Sequence, residues 1–150
     1  MLKCVGKCKE VGLQVSEHRL DPKGRIVLPA KLREKLGDLV FVAAGMDGCV
    51  ALYSENAWND FMEKLKKLPF YSQEKARDFM RVMGDGEDIS VDGTGRVLLP
   101  ARLREYAQLG QDVVFIRLPT HVEIWDKERW EKKQQTALSG LSDLAKELGI

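Results

Sequence analysis

Long apolar runs are missing from this 150-residue chain. The longest are stretches such as Leu39 to Ala44, far short of the roughly 20 residues that cross a bilayer, which excludes a helical membrane span. Met1 to Val15 interleaves Lys3, Lys7 and Lys9 with glycine and cysteine and lacks the apolar centre of a secretory signal. A cytoplasmic protein is expected. Cysteine is scarce: Cys4, Cys8 and Cys49 form an odd set without paired Cys-x-x-Cys spacing, so no complete disulfide or zinc framework is written here. Cys4 and Cys8 would share one face of a helix, with His18 as the nearest further ligand, but free thiols are the simpler expectation, and no metal or cofactor is called for. Charge of one sign is not in excess either. With a formal net charge of +1, any argument for nucleic acid must rest on local clustering.

Catalytic machinery is thin. Its best ingredients are Cys49, His18 and His121 with scattered carboxylates, and no nucleophile–base–orienter spacing joins them. Cys49 stands between Gly48 and Val50 in an apolar strand, where a buried, inert thiol is the common outcome, and His121 follows Pro119-Thr120 in a turn. An enzyme is not expected.

What the chain does have is ordinary globular composition, 44% hydrophobic and 31% charged, and an internal repeat. Leu20-Asp21-Pro22-Lys23-Gly24-Arg25-Ile26-Val27-Leu28-Pro29-Ala30-Lys31-Leu32-Arg33-Glu34 is echoed without a gap by Val91-Asp92-Gly93-Thr94-Gly95-Arg96-Val97-Leu98-Leu99-Pro100-Ala101-Arg102-Leu103-Arg104-Glu105. The echo continues in Asp38 to Val42 against Asp112 to Ile116, and in Val50 to Tyr53 with Trp58 against Val122 to Trp125 with Trp130.

Each copy opens on Asp-x-x-Gly-Arg between apolar segments, the composition of a tight hairpin. The Asp21 carboxylate accepts nearby backbone N–H groups, Pro22 fixes φ, and Gly24 supplies the positive φ of a bulged exit; Asp92, Gly93, Thr94 and Gly95 offer the same chemistry. Ile26-Val27-Leu28 and Val97-Leu98-Leu99 lack alternation, which predicts strands covered on both faces. Pro29 and Pro100 suit a first helical turn. Short helices follow, pairing Leu32 with Leu36 before Gly37, and Leu103 with Ala107 before Gly110. Strands at Val40 to Val42 and Cys49 to Tyr53 flank a turn at Met46-Asp47-Gly48, and Ser54 caps a helix.

That helix carries an apolar stripe of Trp58, Phe61, Met62 and Leu65 up to Pro69. A second, begun at Ser72, carries Ala76, Phe79, Met80 and Met83 up to Gly84-Asp85-Gly86. The last helical stretch bears Leu138, Leu141, Leu144, Ala145 and Leu148 and is weakened by Gly140; packing or subunit contact is its expected use. The resulting division is an N-terminal extension (1–10), module 1 (11–58), a helical insert (59–88), module 2 (89–130) and a C-terminal helical tail (131–150), an α+β chain.

Between residues 19 and 36, Arg19, Lys23, Arg25, Lys31, Arg33 and Lys35 face only Asp21 and Glu34. Arg33 and Lys35 read as a solvated helix face. Lys23 and Arg25 sit on a turn that holds them clear of the core, where a guanidinium can reach phosphates or the O6/N7 edge of guanine. The competing reading for Arg25 and Arg96 is an ion pair with Asp21 and Asp92, four residues earlier. The two readings are compatible in part, because an arginine fixed by its aspartate loses less entropy on binding.

The doubled Asp-x-x-x-Arg turn, each followed by aliphatic-Leu-Pro-Ala-(Lys/Arg)-Leu-Arg-Glu, together with Gly-Cys-Val-Ala-Leu-Tyr and Glu-Ile-Trp-Asp near a tryptophan, resembles the MraZ family over about Val11 to Trp130. The resemblance implies two AbrB-like modules interleaved in a swapped-hairpin β-barrel flanked by helices. It also implies ring-shaped homo-oligomers and a regulator that binds short direct repeats in double-stranded promoter DNA ahead of its own division and cell-wall gene cluster. A nucleoid-associated location is expected, and a site that overlaps the promoter favours repression, with activation left open because the sign depends on promoter geometry. On that likeness Arg25 and Arg96 are the readers or clamps, Lys23 is a phosphate contact and Thr94 its weaker counterpart, with Asp21, Gly24, Asp92 and Gly95 shaping the loops. The second loop departs in lacking the lysine, and Met1 to Glu10 precedes the point where the family usually begins. A rival reading is an AbrB-fold interaction module, antitoxin-like or a scaffold, without specific DNA binding.

Overall fold

A computed structural model describes residues 14–150; Cys4, Cys8 and the N-terminal extension lie outside the described residues. The elements follow the repeat: β1 (Gln14–Arg19), β2 (Arg25–Val27), α1 (Ala30–Leu36), β3 (Leu39–Gly45), β4 (Cys49–Tyr53), α2 (Glu55–Lys66) and α3 (Glu74–Met83) in the first half. The second half contributes β5 (Glu87–Ser90), β6 (Arg96–Leu98), α4 (Ala101–Tyr106), β7 (Asp112–Arg117), β8 (Val122–Asp126), α5 (Lys127–Ser139) and α6 (Leu141–Glu147). No helix among the described residues is long and apolar enough to cross a membrane.

The strands exchange partners between the halves. One antiparallel sheet runs β1-β7-β8-β4-β3-β5, and a separate two-stranded ribbon joins β2 to β6. Thus β1 of the first repeat pairs with β7 of the second, Ser16 opposite Phe115, while β5 of the second pairs with β3 of the first, Val40 opposite Ile89. The tight hairpin expected at each Asp-x-x-Gly-Arg is therefore a turn whose two strands leave for different sheets. In this sense the halves are interleaved, with β1 and β5 as the outer strands of the sheet.

Alternation along the strands decides what each face covers. The inner face sends Val40, Val42, Val50, Leu52, Val113, Phe115, Val122 and Ile124 into one core, closed on the other side by Ile26 and Leu28, Val97 and Leu99, and by Leu32, Leu36 and Leu103 of the short helices. Both repeats share this interior. On the outer face, Ala43, Ala51 and Tyr53 are covered by Trp58, Leu65 and Met83, and Val114, Ile116 and Trp125 pack with Trp130. The equivalent tryptophans thus close the two ends of one sheet.

Local chemistry explains the boundaries, with corrections. Ser54 caps α2 by accepting from the Ala57 N–H at 3.2 Å. Pro29 and Pro100 occupy the cap position just before Ala30 and Ala101, not the first turn; either way no N–H is left unpaired. Gly37, at φ 81°, ends α1, but α4 stops at Tyr106, where Gln108 takes φ 52° instead of Gly110. Gln73, not Ser72, precedes α3. The strands predicted to be covered on both faces are not: Val27 is 53% exposed and Leu98 54%, with Ile26 and Val97 buried between. In the tail, Leu138, Leu141, Leu144 and Leu148 are exposed, and no residue of α5 or α6 is buried.

Candidate nucleic-acid interface

The two Asp-x-x-x-Arg turns are built alike. The Gly24 N–H donates to the Asp21 carbonyl at 3.0 Å and the Asp21 N–H to the Arg25 carbonyl at 2.9 Å, while Gly24 at φ +88° turns the chain into β2. This is the bulged exit at glycine that the spacing predicted. Asp21 organises it: Oδ1 accepts from the Lys23 and Arg25 amides at 2.9 and 2.8 Å, and Oδ2 accepts from Arg25 Nε at 2.7 Å. Asp92 does the same for Thr94 and Arg96, with bonds of 2.9 Å from each amide and 3.1 Å from Arg96 Nε, and adds the Thr94 hydroxyl at 2.8 Å. The predicted ion pair is therefore present, and it goes through Nε. Among the described residues no protein acceptor meets the Nη nitrogens of Arg25 or Arg96, so the outer edge of each guanidinium keeps its donors.

The ribbon places the turns at opposite ends of one surface. Arg25 lies opposite Leu98 and Val27 opposite Arg96. Directly opposed residues project to the same face, so Arg25, Val27, Arg96 and Leu98 form the outer face while Ile26 and Val97 enter the core. As diagonal neighbours in the ribbon, Arg25 and Arg96 stand about 7–8 Å apart, and somewhat less at Cβ, within the roughly 12 Å width of a major groove. Lys23 and Thr94 stand exposed on the loops beside them.

Each loop is also clamped by the opposite repeat, which the sequence reading missed. The Leu28 N–H donates to the Gly95 carbonyl at 2.8 Å and the Leu99 N–H to the Gly24 carbonyl at 3.0 Å. The Arg104 guanidinium lies against Gly24, where any Cβ would collide with it, and Arg33 lies over Gly95 less closely, leaving a Cβ only a tight contact. Arg33, expected to be a plain solvated residue, thus supports the second loop, as Arg104 supports the first. Lys35 likewise donates to the Leu118 carbonyl at 2.8 Å, and Tyr106, at the equivalent position of the second repeat, donates to the Gly45 carbonyl at 2.7 Å. The only advance signal was the repetition of Leu-Arg-Glu after each Pro-Ala. The outcome is a rigid surface with donors at both ends.

Residues 13–82 and 83–148 each match the family model described as MraZ protein and as antitoxin-like. The chain belongs to the MraZ family. The Transcriptional regulator MraZ of Heliobacterium modesticaldum is 44% identical over 133 residues, covering 88% of this chain and 92% of that protein. Those of Lachnoclostridium phytofermentans and Caldanaerobacter subterraneus are 40% identical over 134 residues and 41% over 133, again across 88–89% of this chain and 92–94% of theirs.

MraZ relatives named in this way are regulators, not enzymes. In this MraZ-family chain the residues of the enzyme reading do partly meet: His121 Nε2 lies 3.5 Å from Glu123 Oε2, and Cys49 is their neighbour. Cys49, however, is fully buried and donates to the Met46 carbonyl at 3.3 Å. Burial first, then the Glu123 charge, pushes its thiol far up, so it holds no nucleophilic thiolate at neutral pH. His18 is held elsewhere, bonded to Ser16 at 2.8 Å and packed on Phe115.

The turn aspartates have the opposite chemistry. The Arg25 amide above all, with the Arg25 side chain and Lys23 amide, holds Asp21 below its ordinary 3.8; the Arg96 amide and Thr94 hydroxyl hold Asp92 well below it. A carboxylate depressed in the folded state contributes stability that is full above its unfolded pKa and is lost as pH falls through the folded one. Both turns should therefore survive acidification through pH 4. Carboxyl-detected NMR titration is expected to give both midpoints under 3.8, Asp92 the lower; ordinary midpoints would mean that the amide bonds do not persist in solution.

Proposed function

We propose that this regulator is a sequence-specific DNA-binding protein whose contact surface is the outer face of the β2–β6 ribbon with its two turns. Arg25 and Arg96 are its readers or clamps, Lys23 a phosphate contact and Thr94 a weaker counterpart. Asp21, Gly24, Asp92 and Gly95 shape the loops. The observation that carries the reading is the pair of equivalent turns, each with its arginine held at Nε and its Nη donors unclaimed, fixed at the two ends of one ribbon. A two-stranded ribbon is among the shapes that a major groove admits.

A single ribbon offers few contacts, so affinity must come from repetition. The site is a set of short direct repeats upstream of the protein's own gene, met by several subunits of a ring, for which effective concentration raises avidity by about 10² to 10⁴. Binding there represses, by covering the promoter.

The test is fluorescence anisotropy with duplex DNA from upstream of the gene against a scrambled duplex. Repeat-dependent preference is expected, and with Lys23, Arg25 and Arg96 on phosphates the logarithm of affinity falls against log salt with a slope of about −3 per engaged subunit. Equal binding to both duplexes would overturn it. One observation favours a second reading, an interaction module: the bare leucines of α5 and α6. A different protein cross-linked to them in stoichiometric amount would bring that reading forward.

A further inference from the structure

The two apolar residues on the outer face of the ribbon lie outside the core. Val27 and Leu98 occupy the same position in the two repeats and are 53% and 54% exposed, where the alternation of a half-buried strand places polar residues. Single exposed apolar side chains are common and mean little. Here both repeats place one at the centre of a face whose other members are Arg25 and Arg96, each apolar residue directly opposite an arginine.

From this arrangement, and resting on the DNA-binding reading above, we propose that Val27 and Leu98 are specificity-determining residues that contact the 5-methyl groups of thymine in the major groove. The chemistry is that of apolar readout: thymine alone among the four bases presents a methyl group there, and an aliphatic side chain meets it without needing a hydrogen bond. The arginine opposite each aliphatic residue offers donors to a neighbouring guanine or phosphate. The face thus alternates a hydrogen-bonding reader with an apolar one. The donors favour DNA over a second copy of the same face: Arg25 and Arg96 are paired at Nε with Asp21 and Asp92, but their Nη edges and Lys23 face outward as donors, which a second copy would meet with more donors and a duplex meets with phosphate oxygens.

The test replaces thymine by deoxyuridine throughout the upstream duplex, which removes the methyl groups and keeps every hydrogen-bonding edge. Anisotropy titration of the unaltered protein is expected to weaken by about fourfold for one lost methyl contact per subunit and about fifteenfold for two. Val27→Ser/Leu98→Ser, a pair of surface changes, is expected to bind thymine and deoxyuridine duplexes equally while keeping the salt slope, since no charge is altered. Equal binding of both duplexes by the unaltered protein, with promoter still preferred over scrambled DNA, overturns the methyl readout and leaves the regulator reading standing. Loss of promoter preference altogether overturns both. A double variant that keeps the discrimination assigns it to other residues and also overturns the proposal.

Discussion

Replacing Arg25 and Arg96 together by alanine is expected to weaken promoter binding by a factor between about 30 and 2 × 10⁴, at about 1–3 kcal/mol for each bidentate arginine removed. The turns themselves should survive. Asp21 and Asp92 retain their amide donors from Lys23 and Thr94 and from the backbone of residues 25 and 96, and the glycines remain bonded to Leu28 and Leu99. Circular dichroism and oligomeric state should thus be unchanged while anisotropy collapses. Arg25→Lys/Arg96→Lys separates charge from geometry: the positive charge stays, but the rigid fork and its Nε bond to aspartate are lost. An intermediate affinity with a nearly unchanged salt slope is expected. Undiminished binding by the alanine variant would mean that the arginines serve only to brace their loops.

Phe115→Ala is expected to cost about 3–5 kcal/mol of folding stability. That is a large part of the roughly 5–15 kcal/mol that holds a domain together. Phe115 is fully buried and the largest side chain so enclosed. It lies on β7, between β1 and β8, facing the core that both repeats share, with the His18 ring 4.5 Å away. Its removal leaves a cavity under strands from both halves, so the whole fold should weaken, with a melting temperature lowered by about 6–20 °C. Calorimetry should show one cooperative transition before and after. A loss under about 1 kcal/mol would mean that the interior relaxes to fill the space.

The sequence announced much of this because the repeat supplied each element twice. Asp21, Gly24 and Arg25 named a loop by their individual chemistry, and Asp92, Gly95 and Arg96 repeated it. Val40 to Val42 and Cys49 to Tyr53 were plain as strands around Asp47-Gly48, and Ser54 as a cap. What escaped was long-range. That β1 leaves its own repeat to pair with β7 follows from packing of the whole, and only the family likeness anticipated it. The supports given by Arg33, Arg104, Lys35 and Tyr106 were invisible because a charged or polar residue on a short helix reads as solvated until its neighbour is known. The exposure of Val27 and Leu98 was misread for a related reason: an unbroken aliphatic triplet looks fully covered, and only the ribbon's position as an outer wall shows otherwise.

Fusion of the repeats into one polypeptide frees them from identity. Two copies of a single short chain, interleaved in the same manner, would necessarily present the same loop twice. Here Pro22-Lys23 stands at one end of the ribbon and Gly93-Thr94 at the other, and Val27 is matched by Leu98. The strand exchange keeps the near-twofold frame, while the sequence at each end is free to drift. The surface therefore has a polarity: whatever polymer lies along the ribbon is met differently at its two ends, and one direction along it can be told from the other.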